Sequence, residues 1–438
     1  MKIPYGKNEL HLELPDFCQW TIVEKKSPPM AESESDIIQK GITSLLTQLG
    51  KVIKPGCSIL VVVPDHTRKC NLPALLPPLL KQLEDEFSAH LELLIANGSH
   101  VMQPESMIEN LVSPQVYQRY HPVQHDSRDE KQLVYCGMSP NGIPILLNAK
   151  VKQADFIITV GGILYHYFAG FGGGPKMLLP GIAGYETIRQ NHALCIDRST
   201  GRFHSRVRSG NLTTNPVYLD LAGIVDIITN VLSLQVVLSP DNKIVICRAG
   251  PIRKVQEQLI PTVESLYATT LSRKADIVIA GAGGYPTDIN LIQSHKSIHH
   301  AFQCLRDDGV LIVLAECREG IGSKTFTPYF EHPSAEKMGE ALVNDFHING
   351  QTALSLKEKS ERATIILVSE LSTDVVENMG MRAHRSMKAA IDEAKRSSSN
   401  LDFGYCITKA NITVPVTAQT AHAARRNLSN NSRAQESM

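Results

Sequence analysis

Short, almost continuously apolar runs recur along the chain at residues 58–63, 91–96, 155–160, 276–280, 310–315 and 364–368, each followed by glycine, histidine or a polar residue. Runs this short, apolar at consecutive positions, fit strands buried on both faces of a parallel sheet. Residues 35–49, 73–87 and 298–305 carry helical spacing instead, and residues 10–14 alternate as an edge strand does before the Pro15-Asp16 turn. Strands alternating with helices predict an α/β protein built on largely parallel sheets.

The pattern divides near residue 270. Residues 1–270 can form one sheet, with 251–270 a connecting helix and linker; the run at 276 opens a second, shorter set of strands over 271–416. Two domains also suit a chain of 438 residues. Residues 417–438, rich in Ala, Asn, Ser and Arg, lack a sustained apolar face and read as a disordered tail.

Composition changes this picture little. Forty-four basic residues balance forty-four acidic ones, so overall charge favours neither nucleic acid nor an anionic membrane as partner. Nine scattered cysteines include no Cys-x-x-Cys pair, which suits a reducing, cytoplasmic setting. No stretch reaches the roughly 20 apolar residues of a membrane span, and residues 1–15 lack the apolar centre of a signal peptide.

Candidate chemistry gathers at the carboxyl ends of the early runs, where open α/β sheets bind ligands. Asp65-His66-Thr67-Arg68 follows the first run, Asn97-Gly98-Ser99-His100 the second, and Gly161-Gly162 then His166 the third. The sequence Gly-Phe-Gly-Gly-Gly-Pro-Lys at 170–176 lets backbone pass close to an anionic ligand at Gly172, Gly173 and Gly174, and ends on a reactive amine, Lys176. His192 lies sixteen residues further on. Each signal has a bland counterpart: a strand-end histidine is more often a cap, Asp65 and Arg68 can be a loop ion pair, and an isolated helical His192 is structural. Shared position at the strand ends favours a site. Gly281-Ala282-Gly283-Gly284 is half of a dinucleotide fingerprint. His299-His300 reads as solvated, and His121, His125 and His204 receive no role.

Taken together, Asp65–Arg68 (DHTR), Asn97–His100 (NGSH), His166 with GFGGGPK, the PGIAGYETIRQNH stretch ending at His192, and NLIQSHK ending at Lys296 resemble the nickel-dependent lactate racemase family. The similarity runs in order from Tyr5-Gly6 to at least Lys296; after about Gly320 it is weak. The resemblance implies that 1–270 is the catalytic and cofactor domain, with the active site in a cleft against the second domain. It implies a nickel-pincer nucleotide, a pyridinium-3,5-bisthiocarboxylic acid mononucleotide, covalent at Lys176, with His192 completing the nickel coordination. It maps paired acid/base groups to His100 and His166, substrate binding to Arg68 and Lys296, and cofactor contacts to Asp65, Arg68, the loop glycines and Gln293. It also implies dependence on cofactor-synthesis enzymes. Square-planar nickel suits sulfur and carbon donors with one imidazole, and inversion of a stereocentre needs a proton-transfer group on each face.

The implied activity is racemisation or epimerisation at C2 of a 2-hydroxy acid. Lactate-specific members place a tryptophan from the second domain against the substrate, whereas the one tryptophan here is Trp20. A larger or more polar substrate is therefore expected beside lactate. Three rivals share parts of the pattern: a nicotinamide-dependent dehydrogenase, a zinc hydrolase using His100, His166 and His192, and a non-catalytic sugar- or nucleotide-binding regulator.

Overall fold

The computed structural model describes residues 1–416; the expected tail at 417–438 lies outside them. The chain forms two compact units. One comprises Lys26–Cys195 and His204–Leu266; the other joins Met1–Lys25 and Ile196–Phe203 to the described residues 267–416. The second unit takes up the chain again from Tyr267; the expected boundary is at 270/271. Two segments depart from it, the first 25 residues and the short excursion 196–203.

The first unit carries a six-stranded sheet in the order Ile244–Gly250, Val231–Leu238, Phe156–Gly162, Ser58–Pro64, His90–Ala96, Val123–Gln124. All pairings are parallel except that between Val231–Leu238 and Ile244–Gly250. The apolar runs form its centre: Val61, Val63, Leu93, Ile95, Ile158 and Val160 are fully buried. Helices Glu34–Leu49 and Leu72–Phe87 supply the facing layer through Ile42, Leu45, Leu49, Leu75, Leu79 and Leu83. Glu34–Leu49 starts where Ser33 accepts a hydrogen bond from Asp36 N, an ordinary N-cap. Because Ser58–Pro64 pairs with both His90–Ala96 and Phe156–Gly162, the three strand ends singled out in the sequence are neighbours.

The second unit carries an all-parallel sheet in the order Arg382–His384, Thr364–Val368, Leu305–Leu314, Ala275–Gly281, Phe403–Ile407, Gln19–Val23. Its edge strand comes from the amino-terminal segment. The expected alternating strand at 10–14 is instead Asn8–His11, paired antiparallel with Lys2–Tyr5 in a separate hairpin. Ile3 and Leu12 from this segment are buried in the second unit's core. Trp20 belongs to this unit as well: its indole N–H donates to Pro15 O at 2.8 Å, and its ring lies over Gly404.

Helix Leu291–Phe302 corrects a second expectation. His299 and His300 are buried, as is His295, and His300 Nδ1 lies 2.9 Å from Ala410 O. Residues 251–270 resolve into helix Ile252–Tyr267 and a short strand, Ala268–Thr270, paired with Val414–Val416. No helix among the described residues is long and apolar enough to cross a membrane.

Candidate functional site

Asp65 follows its strand directly and is buried. One carboxylate oxygen accepts from Thr67 N (3.1 Å) and Thr67 Oγ1 (2.7 Å); the other faces His100 Nδ1 at 2.6 Å. Burial works to raise its pKa, but the His100 hydrogen bond and charge, with Arg68 and Thr67, outweigh it and hold the carboxyl at about 2. An ionised carboxylate only accepts, so Nδ1 of His100 carries a proton. The His100 side chain is 43% exposed. Its turn is fixed from below: Gly98, at φ +57°, donates to Gly181 O, and Asn97 donates to His125 O and accepts from Gln103. Arg68 lines a cavity of about 330 Å³ with His66, Lys69, Leu111 and Asn242.

His166 lies on the short strand Tyr165–His166, and its Nδ1 accepts from Ala169 N at 3.2 Å and Phe168 N at 3.4 Å. An Nδ1 engaged by backbone donors leaves the ring proton on Nε2. Phe168 is the hub of the next layer. Its ring lies 4.7 Å from that of His166 and 4.8 Å from that of His192, and Lys176 Nζ sits 5.1 Å from its centre.

Lys176 is only 8% exposed and stands on the short 3-10 turn Gly174–Met177. His192, on helix Tyr185–Ala193, is buried; burial first, then the Lys176 charge, lower its pKa to about 3 against a small opposing pull from the Ile188 carbonyl. Its Nδ1 is sealed from solvent and makes no hydrogen bond. A buried imidazole held neutral, with an unspent nitrogen and a lysine beside it, is the form in which histidine binds a metal. These residues fit the nickel nucleotide implied by the sequence. Gln293 and Lys296 stand in the second unit, where Lys296 Nζ donates to Gln293 Oε1 at 2.9 Å.

The glycines divide by what surrounds them. A Cβ at Gly172 would meet nothing closer than Leu164 O at 3.6 Å, whereas one at Gly173 would stand 2.5 Å from Gly162 O. Sequence reasoning passed over Phe168, which reads as one more aromatic in an apolar stretch. It also passed over His125, buried and hydrogen-bonded through Nε2 to Ala183 O at 2.9 Å.

Two rival readings lose their structural basis. The Gly281–Gly284 turn is filled by the chain itself: a Cβ at Gly281 would stand 2.5 Å from Ile3 Cγ2, at Gly283 2.3 Å from Asn411 Oδ1, and at Gly284 2.9 Å from Pro4 Cβ. Gly281 and Gly284 admit the amino-terminal segment, and Gly283 the Asn411 side chain, rather than a pyrophosphate. Among the described residues no group of three or more His, Cys, Asp or Glu side chains is placed to hold a metal, which removes the three-histidine zinc site.

Comparison with known proteins decides the family. Residues 5–202 match the lactate racemase N-terminal domain and residues 270–414 the lactate racemase C-terminal domain. The chain belongs to the lactate racemase family. The second match extends the resemblance through the region after Gly320 that looks weak in the sequence. The lactate racemase of Thermoanaerobacterium thermosaccharolyticum is 32% identical over 76% of this chain and 78% of its own length. That of Lactiplantibacillus plantarum is 26% identical over 90% and 94%. The structure of the T. thermosaccharolyticum apoprotein superposes with a TM-score of 0.85 at 28% identity, covering 95% of this chain and 99% of that one. A Thermotoga maritima protein shares the fold alone, at TM-score 0.64 and 14% identity. As a member of this lactate racemase family the chain is an α/β isomerase, a racemase.

Proposed function

We propose that this racemase inverts C2 of a 2-hydroxy acid, lactate or a larger relative, with a nickel-pincer nucleotide attached at Lys176. The observation that carries the reading is the cluster of Lys176, His192 and His166 around Phe168, beside the Asp65–His100 pair. When bound, the nucleotide supplies reversible hydride acceptance at C2. His192 would occupy one nickel position as a neutral imidazole. His100, its Nδ1–H held by Asp65, offers Nε2 to take the hydroxyl proton from one enantiomer. His166 is the second acid/base group: in its protonated form it returns a proton to the hydroxyl oxygen on the opposite face, and the roles exchange in the opposite direction. Arg68 has the planar fork that grips a carboxylate, and Lys296 adds a second cation. Asp65 and Gln293 would orient these groups.

A substrate larger than lactate is favoured by the fate of Trp20. Its N–H is spent on Pro15 O and its ring on Gly404, so it serves the sheet edge. The site and cofactor reading is tested by protein made together with cofactor-synthesis enzymes. Stoichiometric nickel and a mass adduct lost in Lys176→Ala are expected; an unmodified wild-type mass sinks the covalent attachment. A chiral assay over 2-hydroxy acids from lactate upward then assigns the substrate.

A further inference from the structure

Two fully buried glutamines lie under the glycine loop. Gln235, on strand Val231–Leu238, donates through Nε2 to Ser233 Oγ at 2.6 Å, and Ser233 Oγ in turn accepts from Thr159 Oγ1 at 2.9 Å. Its Oε1 faces Gly174 N at 3.4 Å. Gln256, on helix Ile252–Tyr267, accepts from Tyr218 OH at 2.7 Å, while its Nε2 is buried and makes no hydrogen bond. The loop has no room for side chains above these amides. A Cβ at Gly173 would stand 2.8 Å from Gln235 Oε1, one at Gly174 2.8 Å from Gln256 Cδ, and one at Gly161 3.1 Å from Gln235 Oε1.

Burying a primary amide is costly unless it is hydrogen-bonded, and an apolar side chain of the same size would fill either place at less cost. Two such amides beneath one loop point to a task for the loop. We propose that Gln235 and Gln256 are positioning residues, which set the glycine loop in the conformation that presents Lys176 beside Phe168 and His192. Gln235 ties the Gly174 amide to the hydrogen-bonded pair Thr159–Ser233, which joins two central strands. Gln256 abuts the loop at Gly174, with its amide oriented by Tyr218. Three glycines follow as a consequence: Gly161, Gly173 and Gly174 lack side chains because the glutamines occupy that space. The inference rests on the reading of Lys176 as the cofactor attachment.

The test uses the full-length protein with Gln235→Leu, Gln256→Leu and Tyr218→Phe. Hydrogen–deuterium exchange is read on unloaded protein for a peptide covering residues 168–178 and, as control, for strand Ser58–Pro64. Both leucine variants should raise loop exchange about tenfold with the control unchanged. The fraction carrying the Lys176 adduct, after production with cofactor-synthesis enzymes, should fall about tenfold. Wild-type loop exchange and wild-type loading in both variants overturn the proposal. If the leucine variants do not fold, Tyr218→Phe decides: it removes one hydroxyl, and unchanged loop exchange there overturns the proposal, while faster exchange confined to the loop supports it. Loosened loops in the variants with no adduct even in wild type would leave the positioning role standing and remove the attachment reading.

Discussion

Asp65 stays ionised where burial opposes it. Replacing it with asparagine keeps the shape but frees His100 to carry its proton on Nε2, the wrong nitrogen for a base. Turnover of Asp65→Asn is expected to fall by roughly 10²–10⁴-fold with little change in fold, as measured by steady-state racemisation. The same carboxyl sets an acid limit. Its folded pKa of about 2 lies below the unfolded value near 3.9, so its contribution to stability is full above the unfolded value and is lost as pH falls toward 2. Denaturation midpoints between about pH 5 and 2 should fall less steeply in Asp65→Asn than in wild type; parallel curves would contradict the linkage. Asp65, His100, His166 and Lys176 stand out as candidates in the sequence because each lies at a strand end or beside glycines. Phe168, Gln235 and Gln256 do not. An aromatic or an amide inside an apolar stretch acquires meaning only when the fold shows what it touches, although the alternation of Ser233 and Gln235 within a buried strand was a faint signal.

At the level of elements, the glycine loop is two devices in one. Gly172→Ala meets no close atom and should change stability by less than about 0.5 kcal/mol. Gly173→Ala combines a positive φ of 67° with contact at 2.5 Å to backbone, and should cost about 1–3 kcal/mol by chemical denaturation. Equal costs would mean that the loop relaxes around either methyl. Helix Leu291–Phe302 teaches the opposite lesson about legibility. Its paired histidines look like a wet face, yet burial, seconded by the Lys359 charge for His295 and His299, pushes their pKa values down, that of His300 to about 4. Neutral when folded and protonated when unfolded, these rings contribute stability that is full above their ordinary pKa near 6.5 and fades as pH drops. Exchange in strand Ala275–Gly281 should therefore quicken between about pH 6.5 and 4 relative to its intrinsic rate, and His300→Gln should blunt that response.

For the whole molecule, the α/β class could be read from the periodicity. The ownership of the first 25 residues could not, because strand pairing between Gln19–Val23 and Phe403–Ile407 leaves no local trace. Removing residues 2–12 withdraws Ile3 and Leu12 from the second unit's core and uncovers the Gly281–Gly284 turn. Faster exchange is expected in Ala275–Gly281 with little change in Ser58–Pro64, whose sheet belongs to the other unit. A uniform loss of protection would show that the units melt as one.

That edge strand has a consequence for biosynthesis. The partner of Gln19, Phe403, is made 384 residues later. At ordinary elongation rates the interval is about 20–80 s. During it the middle of the chain, Lys26–Leu266, can complete its own sheet, while a short strand with exposed hydrogen-bonding edges waits unpaired. A strand made well before its partner is thus among the last of its unit to find its place, and its unpaired edge is exposed throughout that interval.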